Sequence, residues 1–421
     1  MKQIKALGIP KIKALGLGST AELGSKKEDD TEVIVIELVD KLDDGSKNDG
    51  NNKGLETTIQ KGLLFGKKYR FKIKSLSNGI PKNKSDIKWL IKYHSPITSQ
   101  NKWIEKQLSV TGDNISILFD DKDMCGRFVY IIAYISNSTL KGELKLWKHN
   151  RFRWFDSETF EEEIKERTDS RELWRINQAG TSLCGMGCIF YLFAKEQPEQ
   201  YSKFSKELFR TGETSYKKYL VKPSIEILEK KINKLGFPLN TGNMPIVDFV
   251  TLASTRNTDN PKYTGGDEQF EAINWPKFMV DMCSTFLGYK KVINFTIPIN
   301  NKLKSANLPY NEISKRVEDV NQQIIDGYKL ILLIDSDLID DVWDSPFELD
   351  YHWIVLENPI QIKNFLNSGG ESVYKLDFSV FTPWGGAIDT VTNQAVEIKY
   401  LKEPITFTHF IKNYYGYIKF K

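Results

Sequence analysis

Cys184 sits in the stretch INQAGTSLCGMGC, residues 176–188, six residues after Gln178 and just ahead of the apolar run CIFYLFA. A thiol hydrolase needs a thiol that ionises and an imidazole that takes its proton. It also needs a group that holds the imidazole and N–H donors for the oxyanion. The start of a buried helix meets part of this need, because its free N–H groups and its dipole stabilise a thiolate. Cys184 is placed to be such a nucleophile, with its own N–H as one oxyanion donor and the amide of Gln178 as the other. Gly180, Thr181 and Ser182 form the preceding turn, and Ser182 is the expected helix cap. Gly185 and Gly187 each cost a helix interior about 1 kcal/mol against alanine. Their presence is explained if something approaches this backbone closely.

The sequence has four histidines: His94, His149, His352 and His409. His352, in YHWIVLE, begins a predicted strand after the acidic stretch DSDLIDDVWDSPFELD, where a rigid backbone could hold one ring nitrogen toward a cleft. The following strand, VYKLDFSVFTPWGG, offers Ser379 or Thr382 to orient the ring and Trp384 to shield that bond from water. His409 is expected to be structural. Alone, a buried cysteine is usually inert packing, and Cys188 is expected to be core. The order Gln178, Cys184, His352 is what lifts Cys184 above that expectation.

The elements that must carry these groups are drawn from 421 residues, enough for two or three domains, and 40% hydrophobic residues are enough to bury real cores. A net charge of +4, from 59 basic and 55 acidic residues, gives no field that argues for nucleic acid. Four cysteines (Cys125, Cys184, Cys188 and Cys283) are no disulfide framework and fit a reducing compartment. The start has no continuous apolar region of a secretory signal, and no window approaches a membrane span. Synthesis in the cytoplasm without a Sec leader is expected. No second Cys or His pair accompanies Cys184 and Cys188. The acidic stretch lacks an EF-hand pattern, and no phosphate-binding glycine motif occurs, so neither metal nor cofactor is expected.

Residues 1–31, with IKALG at 4–8 and again at 12–16, read as a flexible tail or a docking peptide. Residues 32–150 alternate in the manner of strands, separated by Gly, Asn and Asp clusters, which predicts an immunoglobulin-like β-sandwich. Residues 151–174 read as a charged connector, partly helical, leading into a second domain. From 175 to 421 helices come first and strands after, an α+β organisation. Helices are expected at CGMGCIFYLFAKEQP, EQYSKFSKELFRTGE, PSIEILEKKINKLG, PIVDFVTLAST, WPKFMVDMCSTFLG and ISKRVEDVNQQIIDG. Strands are expected at KVINFTIPI, YKLILLID, YHWIVLE, VYKLDFSVFT, QAVEIKYL and YGYIKFK.

Gln178, then Cys184-Gly185 opening an apolar helix, then a distant His352-Trp353 in a strand, then Trp384-Gly385 after another strand, resembles the papain-like cysteine peptidases over roughly residues 175–421. The start LCGMGCIFYLFAK is similar to bacteriocin-processing and related bacterial branches. The resemblance implies Cys184 as nucleophile, His352 as general base and Gln178 as oxyanion donor. It departs at the orienting residue, where Thr382 stands in place of the family's asparagine, with Asp377 as the alternative if the register differs. A tail and a β-sandwich ahead of such a domain also resemble cargo toxins of bacterial contractile injection systems. The function implied is hydrolysis of peptide or amide bonds in a peptide or protein substrate, as an effector exported through its tail. Deamidation and acyl transfer share the same thioester. A non-catalytic adaptor using the β-sandwich is the competing class.

Overall fold

The computed structural model describes residues 34–49, 59–95, 102–136, 140–267, 269–297, 310–339, 351–366, 368–392, 395–401 and 403–421. The expected tail, 1–31, and residues 340–350 of the acidic stretch lie outside them.

The N-terminal part is antiparallel. Strands β1 (Ile34–Leu38), β2 (Asp43–Ser46), β3 (Ile59–Gly62), β4 (Lys68–Leu76), β5 (Ile87–Ser95), β6 (Lys102–Thr111), β7 (Asn114–Leu118), β8 (Arg127–Ile135) and β9 (Lys141–Lys148) succeed one another along the chain. They form one sheet ordered β1-β4-β7, a second ordered β6-β5-β8-β9, and a β2-β3 hairpin. Alternation with a period of two turns Tyr69, Phe71 and Ile73 of β4 and Trp89, Ile91 and Tyr93 of β5 into a single core between the two sheets. Polar and half-buried residues alternate with them on the outside.

The stretch 151–174, expected as a connector, is built into the helical domain. Asp156 caps α1 (Ser157–Thr168) by accepting from the N–H groups of Glu158 and Thr159, and Phe152, Phe155, Phe160 and Ile164 belong to the helical core. Large aromatics in a charged segment have nowhere to go but inward. The antiparallel N-terminal part is fastened to this segment at His149, whose Nδ1 lies 2.5 Å from Asp49 Oδ2, and at Ser46, whose N–H donates to Arg153 O at 2.7 Å.

Helices then dominate. Helix α2 (Cys184–Glu196) is buried from Cys184 to Ala194, as a run apolar on every face requires. Pro198 opens α3 (Pro198–Thr211), and Gly212 ends it in the left-handed conformation, φ 73°. The helix expected over PSIEILEKKINKLG stops after one turn, Ile225–Leu228. The Asn233 side chain accepts from the N–H groups of Leu235 and Phe237, and Gly236 takes φ 91°, so local hydrogen bonds win over the apolar period. Leu235 is left 74% exposed. After the short hairpin β10 (Thr214–Tyr216) and β11 (Tyr219–Val221), a helix over 246–259 contains a π segment, Phe249–Ala253. The helix Pro276–Thr285 begins with its proline, as expected.

The C-terminal sheet is antiparallel. Its order is β12 (Val292–Asn294), the C-terminal strand Tyr414–Phe420, β13 (Lys329–Asp335), β14 (Tyr351–Leu356) and a short strand at its far edge. Two strands of another sheet, β15 (Gln361–Leu366) and β16 (Ser372–Asp377), precede that edge strand, β17 (Val380–Phe381). Of the expected KVINFTIPI strand, Val292–Asn294 form the regular ladder, Phe295 and Ile297 still donate to Tyr417 O and Tyr415 O, and residues 298 and 299 lie outside the described residues. The sheet is covered on both faces. Ile331, Leu333, Trp353 and Val355 meet α2 on one side; Leu330, Leu332, Ile334 and Ile354 meet Val317 and Phe410 on the other. That is why β13 reads as a continuous apolar run.

Candidate active site

The site is assembled where α2 begins against β14. Cys184 is the first residue of α2, and Leu183 precedes it as the cap position with no side-chain hydrogen bond. Ser182, the expected cap, therefore does not cap. The free N–H groups of the first turn are met in part by Asn274, whose Oδ1 accepts from Met186 N at 3.0 Å. The two glycines are explained by close approach, but of protein rather than ligand. A Cβ on Gly185 would lie 2.6 Å from Asn274 Cβ, and one on Gly187 would lie 2.3 Å from Pro383 Cβ. Gly187→Ala is expected to lower stability by about 1–3 kcal/mol despite alanine's better helix propensity, because the clash outweighs the gain of roughly 1 kcal/mol. A denaturation midpoint equal to or above that of the wild type would contradict this.

The backbone N–H groups of Trp353 and Gly185 face the sulfur of Cys184 closely enough to favour its thiolate. One turn on, Cys188 Sγ donates to Trp353 O at 3.2 Å. Both cysteines therefore lie against one strand residue, Trp353, the neighbour of His352. The i, i+4 spacing that reads as packing serves to dock helix on strand.

His352 is 4% exposed. Its Nε2 lies 2.6 Å from Thr382 Oγ1, and the Trp384 ring stacks on the imidazole with centroids 4.4 Å apart and planes 26° from parallel. Thr382 comes directly after β17, which pairs with β14 at Val355 and Phe381, so the sheet register sets this distance. The other orienting candidates lie elsewhere. Asp377 pairs with Lys363, and Ser379 Oγ accepts from Asn358. His409 bonds to Asp337 O, His149 to Asp49, and His94 stacks edge-on against Trp103.

Gln178 is positioned by its backbone and its amide alike. Its N–H donates to Pro383 O at 2.8 Å, beside the Asn177–Trp384 bridge, and its Nε2 donates to Thr181 O at 2.8 Å. One of its two amide protons is thus committed to its own loop, and Oε1 is buried without a partner. Asn177 N donates to the buried Asp248, itself paired with the buried Arg167, and Asn177 Oδ1 accepts from Ala179 N at positive φ, 49°. This bracing was missed in the sequence, since nothing near residues 248 or 274 advertises a contact with residues 176–186.

The electrostatics differ from the sequence expectation. Burial pushes the Cys184 thiol up to about 11, more than the backbone N–H groups of Trp353 and Gly185 bring it down. Burial alone pushes the His352 imidazole down to about 3. Among the described residues no hydrogen bond joins the Cys184 sulfur to the His352 ring. At neutral pH the site holds a neutral thiol and a neutral imidazole, not an ion pair. The helix terminus does favour thiolate, but a site closed to water removes more than the terminus supplies. No cluster of three or more His, Cys, Asp or Glu residues able to hold a metal occurs among the described residues.

With Nε2 turned to Thr382, Nδ1 is the nitrogen left to act as a base, which requires the tautomer with the proton on Nε2. Thr382→Val should therefore lower turnover by about ten- to a hundredfold, well short of the ~10⁴ that accompanies loss of a charged orienting carboxylate. Thr382→Asn, which restores an acceptor, should recover most of it. Equal rates for the threonine and valine proteins would show that the ring needs no such partner. Comparison of the chain with protein-family models, with curated proteins and with solved structures gives no match.

Proposed function

We propose that the chain is a cysteine-dependent hydrolase of peptide or amide bonds, papain-like in its second domain and immunoglobulin-like in its first. The observation that carries this reading is the His352–Thr382 contact of 2.6 Å beneath Trp384, with Cys184 at the start of the helix that packs against the same strand. The sulfur attacks the carbonyl carbon while its proton passes to His352 Nδ1. The second N–H of Gln178 and the Cys184 N–H hold the oxygen. The C–N bond breaks, and the amine leaves with the proton from the imidazole. Water then adds to the thioester, His352 takes its proton, and the acid departs as the thiol reforms. Side-chain deamidation and acyl transfer use the same thioester. An effector exported from a bacterial cytoplasm through the tail, 1–31, is the biological setting this reading fits.

The burial of both reacting groups favours a second reading, in which the second domain is a scaffold and the β-sandwich binds a partner. One experiment separates them. A peptide mixture is incubated with wild-type and Cys184→Ala protein and followed by mass spectrometry for new termini, for glutamine or asparagine converted to acid, and for acyl exchange. New termini that need Cys184 support peptide hydrolysis, and the other two products identify the alternatives. Identical mixtures from both proteins would sink the enzyme reading.

A further inference from the structure

One side chain from outside the 178–184 stretch braces the first turn of α2. Asn274 lies just ahead of the helix Pro276–Thr285 and is 2% exposed. Its Oδ1 accepts from Met186 N at 3.0 Å, two residues beyond Cys184. Its backbone oxygen accepts the Trp353 indole N–H at 2.7 Å, beside His352. Gly185 has no Cβ where Asn274 needs the room. Asn274 therefore touches both elements that carry the reacting groups. Its amide has one orientation available, because reversal would set its NH₂ against the Met186 N–H. In that orientation Nδ2 is buried and has no partner. A buried donor left unmade costs more than a hydrogen bond returns, so a native structure keeps one for a reason. The unpartnered atom of Gln178 is different in kind. It is Oε1, an acceptor, which cannot stabilise an anion.

We propose that Asn274 Nδ2 donates to the substrate carbonyl oxygen as it becomes an oxyanion, which makes Asn274 a catalytic residue. The assignment rests on the hydrolase reading. When the Cys184 sulfur bonds to the carbonyl carbon, the C=O pair moves onto oxygen. Nδ2–H donates to that oxygen and loses no proton. The pair returns when the C–N bond breaks and the amine leaves with the proton held by His352.

The test compares Asn274→Asp and Asn274→Ala with wild type. The aspartate keeps the acceptor for Met186 N–H and replaces the donor by an acceptor of the same size. Two quantities are read on each protein. One is kcat on the peptide that wild type cleaves fastest in a Cys184-dependent manner. The other is the rate of Cys184 alkylation by iodoacetamide, a displacement that forms no oxyanion. Asn274→Asp should lose about 10²–10³ in kcat and Asn274→Ala at least about tenfold, with alkylation within about twofold of wild type. The assignment is overturned if kcat stays within about threefold in either folded variant. It is overturned equally if alkylation falls in step with kcat, or if neither variant folds, since Asn274 is then only a brace. Wild type without Cys184-dependent turnover is a separate failure, that of the hydrolase reading itself.

Discussion

Cys184 should alkylate slowly at pH 7, with a rate that climbs about tenfold per pH unit until it levels off near pH 11, while Cys184→Ala and His352→Ala each lose at least about 10⁴ in turnover. The first half comes from a thiol pushed up to about 11 by burial, since the thiolate is the reactive form. The second comes from a neutral pair: without His352 no group beside the sulfur takes its proton as the S–C bond forms. The two readouts must diverge. A preformed ion pair would give fast alkylation at about pH 6–7 that drops when His352 is removed. A neutral pair gives slow alkylation with or without His352, and a large loss of turnover only. Fast, His352-dependent alkylation at about pH 6 would refute a closed, neutral site.

The second large effect concerns acid stability. His352 is held down to about 3 from an ordinary value of 6.5. Between those values the unfolded chain binds a proton at this ring and the folded chain does not. Stability from this group is therefore complete above about pH 6.5 and is lost progressively as pH falls toward about 3. At about 1.4 kcal/mol per unit of separation, the loss is on the order of 5 kcal/mol, a large share of a typical domain's stability of about 5–15 kcal/mol. His352→Gln, which keeps a polar partner for Thr382 but cannot charge, should lose less stability between about pH 6.5 and 4 than wild type does. Urea titrations of both proteins across that range check this, and parallel curves would show that the ring does not stay neutral on folding.

Much of this arrangement is legible in the residues. The apolar run after Cys184 gives a helix buried on every face, Pro198 and Pro276 open helices, Gly212 closes one, and the continuous run of β13 marks a strand covered twice. What stayed hidden is non-local. Ser182 has the chemistry of a cap, but Asn274, some ninety residues away, reaches the helix's first turn instead. The apolar period over 225–235 loses to the hydrogen bonds of Asn233, which periodicity does not count. The dipole at the start of α2 is visible in sequence, whereas the closure that overrides it depends on Trp384 and the whole sheet. Histidine scarcity and order single out His352, and Thr382 two residues before Trp384 marks its partner. Nothing in the sequence tells how deeply the pair is buried.

The place of the strand Tyr414–Phe420 bears on when the site can form. It lies inside the sheet, between β12 and β13, and its neighbour β13 is what aligns the strand bearing His352. During synthesis, Cys184 and His352 both leave the ribosome before the strand that completes their sheet exists. At about 5–20 residues per second, the roughly seventy residues from His352 to Phe420 take several seconds to make. In that interval the edge of β13 that Tyr414–Phe420 covers stands open, so the sheet that holds His352 in register is completed only when that strand inserts.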